Sequence, residues 1–156
     1  MRIMGVPTMK GRFNMLCRAL FAIPFLTLFL FGSIEAREIT LFDQEGTPIA
    51  YIDTDEDLTI FLWNGTPVAY LDKSSVYGFN GKHLGWFKDG IVWDRKGYGV
   101  GFVEGAVNKL TKLEPLKSLK KLAPLRSLQE LERLEPLSKN RWSPIPLDIF
   151  LLQGKK

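Results

Sequence analysis

His83 is the only histidine in the 156 residues, and Cys17 is the only cysteine. Together they limit the side-chain chemistry open to the chain. A lone histidine works as a general base only beside a placed acid or nucleophile. The stretch Gly81-Lys-His-Leu-Gly85 offers neither, so His83 reads as an outward-facing surface residue at a strand start. No Gly-x-Ser-x-Gly elbow and no phosphate-binding loop is present. Asp53-Thr-Asp-Glu-Asp57 has the oxygen density of the first half of a calcium loop. Leu58, however, stands where such a loop needs glycine, and Asn64 where it needs a bidentate glutamate. That segment reads as a solvated acidic connector. The expectation is a chain with no catalytic residue, no cofactor and no metal.

The remaining residues that could recognise something are aromatic, and they recur. Counting from Gly46, Gly65, Gly81 and Gly97, an aromatic stands four positions before each glycine: Phe42, Phe61, Tyr77 and Trp93. Another stands five positions after: Tyr51, Tyr70, Trp86 and Phe102. Position +3 is aliphatic (Ile49, Val68, Leu84, Val100) and +4 is small (Ala50, Ala69, Gly85, Gly101). Sugars stack on such rings, but aromatics at a core period are more often core.

The elements that carry them are hairpins. Asn64-Gly65 and Asn80-Gly81 lie between β-prone runs and accept the positive φ angles of a two-residue type I′ turn. With that turn, −4 pairs with +3, and side chains at −4, +3 and +5 share one face. Trp63 and Phe79, both at −2, join it. That face is then an aromatic centre. Positions −5, +4 and +6 (at +6, Ile52, Leu71, Phe87 and Val103) form a second apolar face needing cover. Single hairpins are marginal in water, so the four must share a core.

On Gly-Thr-Pro-Ile-Ala-Tyr, Gly-Thr-Pro-Val-Ala-Tyr, Gly-Lys-His-Leu-Gly-Trp and Gly-Tyr-Gly-Val-Gly-Phe, residues 39–103 resemble the 4-fold β-flower domain family. The resemblance implies an all-β fold, four β-hairpin repeats around a pseudo-fourfold axis, followed by a basic, proline-containing tail. It implies no activity. A small β-barrel, a sandwich or a partial propeller would serve the same pattern.

Residues 1–36 read as a signal peptide. Arg2, Lys10, Arg12 and Arg18 precede the apolar run from Ala19 to Phe31, and Ala36 gives a small-residue exit, with cleavage before Arg37. Met15 is an alternative start. Cleavage would remove Cys17 and every methionine, leaving no disulfide. The expected address is therefore exported, periplasmic or secreted, and the membrane is met only through the signal peptide.

Residues 37–106, the repeat domain, hold 6 basic and 11 acidic residues; residues 107–156, the tail, hold 11 and 5. Such a split suits docking of tail on head. The tail carries leucine at every third position from Leu110 to Leu137. Spacing of three suits the three residues per turn of polyproline II and not an α-helix. The leucines are expected to lie on an apolar face of the head, with a short helix around the capping box Ser127-Leu-Gln-Glu130. Trp142 to Leu152 is expected to dock as a C-terminal clasp. The functional reading is a non-catalytic binding or structural module of the cell envelope, with an envelope component as partner through the tail and no nucleic acid. A carbohydrate-binding domain using aromatic side chains is the alternative, and a hydrolytic enzyme the last choice.

Overall fold

A computed structural model describes residues 38–156. The signal peptide, its cleavage point at Ala36 and Arg37, Met15 and Cys17 lie outside the described residues. Eight antiparallel strands close into a barrel in strict sequence order. They are β1 (Glu38–Phe42), β2 (Pro48–Asp53), β3 (Thr59–Leu62), β4 (Pro67–Asp72), β5 (Ser75–Gly78), β6 (His83–Lys88), β7 (Ile91–Asp94) and β8 (Gly99–Phe102). One short helix, α1 (Leu147–Leu152), follows. The four hairpins are thus consecutive, and Phe42 opposite Phe102 closes the ring.

The turns are one residue longer than the type I′ expectation. The Gly46 N–H donates to the Asp43 carbonyl at 2.9 Å, and the Asp43 N–H to the Thr47 carbonyl at 2.9 Å. Gly65, Gly81 and Gly97 repeat the first bond to Leu62, Gly78 and Asp94. Only the glycine of each turn has positive φ (for example +75° at Gly65), and Asn64 and Asn80 do not. This is a type I turn followed by a left-handed residue that forms a bulge. Asn64, Asn80, Asp43 and Asp94 instead use their side-chain oxygens to accept backbone N–H groups across the turn.

The extra residue corrects the pairing. Position −4 faces +2, not +3: Phe42 opposite Pro48, Phe61 opposite Pro67, Tyr77 opposite His83 and Trp93 opposite Gly99. Position −5 faces +4, as in Leu41 opposite Ala50. The bulge between them lets +3 and +4 both turn inward. One apolar cluster takes residues from all eight strands, among them Leu41, Ala50, Ile52, Ile60, Val76 and Val92. Only a barrel interior brings opposite strands together, so the −5, +4 and +6 face is the inside. Its small +4 residues suit the narrow lumen of an eight-stranded barrel.

The expected aromatic centre is therefore not central. The −4 and +5 rings line the outside, paired across each seam between units: Tyr51 with Phe61, Tyr70 with Tyr77, Trp86 with Trp93, and Phe102 with Phe42. Their centroids lie 5.6 Å apart for Tyr51–Phe61 and 6.1 Å for Tyr70–Tyr77. The C-terminal clasp forms. Leu147, Phe150 and Leu151 of α1 enter the barrel cluster from the turn end, where Gly154 packs backbone to backbone on Gly78.

Each turn glycine also meets the tail. A Cβ on Gly81 would lie 2.0 Å from the Leu128 carbonyl oxygen, whereas one on Gly105, at a similar φ of +81°, would meet nothing within 4 Å. Gly105→Ala is expected to cost only left-handed backbone strain, about 1 kcal/mol. Gly81→Ala should cost about 3 kcal/mol or more, because the tail must also move. Equal urea-unfolding midpoints for the two variants would refute the close approach.

Candidate functional site

The tail from residue 109 to 138 is an extended strap with neither helix nor strand. It follows the hairpins in order. The N–H groups of Lys112, Lys121, Glu130 and Lys139 donate to the carbonyls of Gly46, Gly65, Gly81 and Gly97, at 2.8, 2.8, 2.8 and 2.7 Å. These donors are nine residues apart, three turns of a three-residue helix, so the same strap face returns at every hairpin. The sequence carries this second repeat plainly, in Lys109-Leu-Thr-Lys-Leu-Glu-Pro-Leu-Lys117, Ser118-Leu-Lys-Lys-Leu-Ala-Pro-Leu-Arg126 and Ser127-Leu-Gln-Glu-Leu-Glu-Arg-Leu-Glu135. A period of three hides a period of nine, and only the nine-residue frame separates the residues that touch the barrel from those that do not.

The expected helix at Ser127 does not form. A helix start needs its first N–H groups free for capping, but the Ser127 N–H is spent on the Phe79 carbonyl and the Glu130 N–H on Gly81. The Glu130 carboxylate accepts from the His83 N–H instead, at 3.3 Å.

The strap also lies the other way round from the expectation. Its leucines face solvent: all ten from Leu110 to Leu137 are 86–98% exposed. The charged and polar residues between them turn inward. They cover the barrel's outer aromatic rings, not the +6 face, which is interior. The Lys117 ammonium sits 4.8 Å from the Tyr51 ring centre and 4.9 Å from Trp63, and the Arg126 guanidinium sits 4.0 Å from Tyr70. The Trp63 indole N–H donates to the Pro115 carbonyl, so Trp63 and Phe79 belong to this outer layer. Lysine and arginine stems shield apolar rings while their heads find charge.

Those heads find a repeated partner at +7. Thr111 donates to Glu104, Lys120 to Asp53 and Gln129 to Asp72. In the third unit the +7 residue is Lys88, and the strap supplies Glu135 in return, at 2.9 Å. The sign is reversed, and Glu135 stands three residues before Ser138, the position the nine-residue frame gives. Asp53 is the buried case, 1% exposed. Burial would raise its carboxyl, but the Lys120 ammonium and the N–H groups of Asp55 and Glu56 outweigh burial and hold it below the usual range. Glu38, bonded to Lys117 and Lys120, is lowered by the same competition.

His83 points away from the barrel axis, but not into solvent. It is 0% exposed, closed between Tyr77, Trp86 and the strap, with ring centroids at 5.1 and 4.7 Å. Neither ring nitrogen has a hydrogen-bond partner. Glu132, whose carboxylate accepts from Ser75 and from the Trp86 indole at 2.6 and 3.2 Å, lies beside it. Burial depresses the imidazole more than Glu132 and Glu130 raise it, and Arg95 and Arg133 add to the depression. The ring is held neutral as a packing group.

Among the described residues, no group of three or more His, Cys, Asp or Glu residues could hold a metal ion. Asp53 of the acidic connector is committed to Lys120 and to backbone N–H groups. A concavity of about 220 Å³ lies between the Asp43–Glu45 turn and residues 142–148, lined by Trp142, Ile49 and Leu147. It falls short of the roughly 300 Å³ where ordinary ligand pockets begin. Of the eight −4 and +5 aromatics, only Trp93 is not buried, so these rows offer no platform for a sugar. The surface that stands out is the row of leucines. Among the described residues, no helix is long and apolar enough to cross a membrane.

The turn glycines Gly46, Gly65, Gly81 and Gly97 are thus brought together as four docking points for one strap. A family model described as "4-fold beta flower protein" matches residues 39–151, a span that takes in barrel, strap and most of α1. No curated protein and no solved structure matches the chain.

Lys120→Ala leaves the buried Asp53 carboxylate with backbone donors only. It is expected to destabilise the fold by about 2 kcal/mol, while Lys121→Ala, which loses only a bond to the Thr66 hydroxyl, stays within about 0.5 kcal/mol. Urea unfolding at neutral pH distinguishes the two. For His83, the unfolded chain binds a proton below its ordinary value of 6.5 and the folded chain resists it. Stability is therefore full above 6.5 and falls as the pH drops below it. Melting midpoints should decline from pH 6.5 toward 5 in the parent, and His83→Phe should remove that slope. A parent midpoint that is flat over this window would contradict the assignment.

Proposed function

The chain belongs to the 4-fold β-flower family, and from that premise we propose that it is an exported, non-catalytic binding or structural module of the cell envelope that works through its strap. One observation carries the reading: ten leucines in a row at 86–98% exposure on an ordered, hydrogen-bonded scaffold. The largest apolar patch of a typical monomer is about 300–600 Å², and larger ones mark interaction sites. Burying one leucine is worth about 2.5 kcal/mol at about 25 cal/mol per Å², or on the order of 100 Å² each, so the row offers on the order of 1,000 Å². Keeping that surface in water has a cost that a partner would relieve. The barrel's role is rigidity. Its interior is filled, its outer rings are capped, and its one histidine is enclosed without a proton partner, which leaves His83 unsuited to acid–base work.

Export rests on the basic start, the apolar run and the small-residue exit of residues 1–36. Fractionation of expressing cells with N-terminal sequencing is expected to find a chain starting at Arg37 outside the cytoplasm. An unprocessed cytoplasmic chain overturns that half of the proposal. Serine at Leu122, Leu125, Leu128 and Leu131 together is expected to release the protein from the envelope fraction while leaving its melting midpoint unchanged. Undiminished retention overturns the strap as the binding face.

A further inference from the structure

We propose that the stretch of strap between its anchors at Gly81 and Gly97, residues 131–138, is a flap that acid releases, with His83 beneath it as the trigger. The four backbone anchors divide the strap into three legs, residues 112–121, 121–130 and 130–139. Each of the first two legs has a further backbone bond inside it. The Ser118 N–H donates to the Trp63 carbonyl at 3.2 Å, and the Ser127 N–H to the Phe79 carbonyl at 2.9 Å. Nine residues on stands Pro136, which has no N–H to give. Among the described residues, the third leg is therefore tied to the barrel by backbone only at its ends, Glu130 and Lys139.

Its side chains hold it differently as well. In the first two legs Lys117 and Arg126 lie over Tyr51 and Tyr70. The third leg is held by Glu132, which accepts from Ser75 and from the Trp86 indole, and by the Lys88–Glu135 pair. That pair is exposed on both sides, and such pairs add little.

His83 is the group this leg closes over. Its ring lies between Tyr77 of β5 and Trp86 of β6, fully buried, with both nitrogens unpartnered. The charged groups that face it are Glu130, Glu132 and Arg133 of the strap and Arg95 of the β7–β8 turn, two of each sign. Neither carboxylate accepts from the ring. Glu130 accepts from the His83 backbone N–H, and the bonds from Ser75 and Trp86 hold the Glu132 carboxyl below its ordinary range. A proton on the imidazole puts a charge and two N–H donors into a closed space without an acceptor. Water satisfies them once a wall gives way. Tyr77 and Trp86 sit in strands paired on both sides, so the wall that gives is the third leg.

The sign follows. The closed leg resists a proton that the open one accepts, so closure is fully favoured above the ordinary imidazole value of 6.5 and loses ground below it. One proton raises the opening equilibrium by at most about tenfold per pH unit. Opening uncovers Tyr77, Trp86 and the imidazole together, an aromatic face offered only in acid.

The test is hydrogen exchange of the full chain, purified in whatever processed form the cell yields, followed by NMR and corrected for the intrinsic pH dependence of exchange. The Trp86 indole N–H, bonded to Glu132, reports on the third leg, and the Lys121 N–H, bonded to the Gly65 carbonyl, on the strap elsewhere. From pH 6.5 to 5 the protection of the Trp86 indole is expected to fall about 10- to 30-fold while that of Lys121 holds. His83→Phe should abolish the fall. Pro136→Ser, which restores an N–H at the frame position of Ser118 and Ser127, should raise the indole's protection severalfold at every pH. Protection that is flat or rises in acid overturns the proposal, the latter by showing that Glu132 turns to bond the imidazolium. An equal fall at both reporters overturns it as unfolding of the whole molecule, and so does a fall that survives His83→Phe. Should that variant not fold, Pro136→Ser decides alone: unchanged protection of the indole overturns the flap.

Discussion

Four hydrogen bonds, each from a strap N–H to a turn glycine carbonyl, are the constraint on which the outside of this protein depends. They are possible only because no Cβ stands between the two backbones; at Gly65 one would lie 2.0 Å from the Leu119 oxygen. The glycines therefore serve two needs with one property. They supply the left-handed residue that closes each turn, and they let a second chain segment approach to bonding distance. Once the N–H of every ninth strap residue is tied down, the remaining positions have no freedom. Two of the three faces of a three-residue helix must meet the barrel, and the third cannot. The sequence assigns mostly charged and polar residues, with Ala123 and three prolines, to the first two and leucine to the third.

That assignment inverts the usual logic of burial. Lysines, glutamates and an arginine cover aromatic rings, while leucines stand in water. The inner face of the strap must satisfy Asp53, Glu38, Asp72 and Lys88 at the barrel edge, as well as cover Tyr51, Tyr70 and Trp86. Leucine could cover the rings but could not answer the charges. A long side chain with an apolar stem and a charged head does both. At Lys88 the strap answers with an acid, Glu135, three residues before the position the nine-residue frame gives, so the third unit meets the strap through a different residue and with the opposite sign.

Much of this was legible in the sequence. The glycine-centred repeat announced four hairpins, and the period of three announced an extended tail. The C-terminal apolar segment announced a clasp. What failed was one residue of register. A two-residue turn pairs Phe42 with Ile49, while the bulged turn pairs it with Pro48, and the choice decides which apolar face is enclosed. The deciding signal was size: Ala50, Ala69, Gly85 and Gly101 fit a narrow lumen, and a double row of aromatics does not. His83 was expected at the surface, on the face opposite the aromatic rows; the bulged register sets it beside Tyr77 and Trp86 instead, and nothing in its own hairpin shows that the strap returns over it. The direction of the leucines was lost for a similar reason. Hydrophobicity suggests that they are inside, and only the acids at +7, read with their strap partners nine residues apart, show that the inner faces are already taken.

The helix α1 has a consequence for how the molecule is made. Leu147, Phe150 and Leu151 complete a core begun at Leu41, although the other seven strands and the whole strap lie between them in the chain. A chain grown only as far as β8 can pair its strands, but its lumen has no plug and stays open to water until α1 arrives. What is made far apart in time is packed side by side in the finished fold.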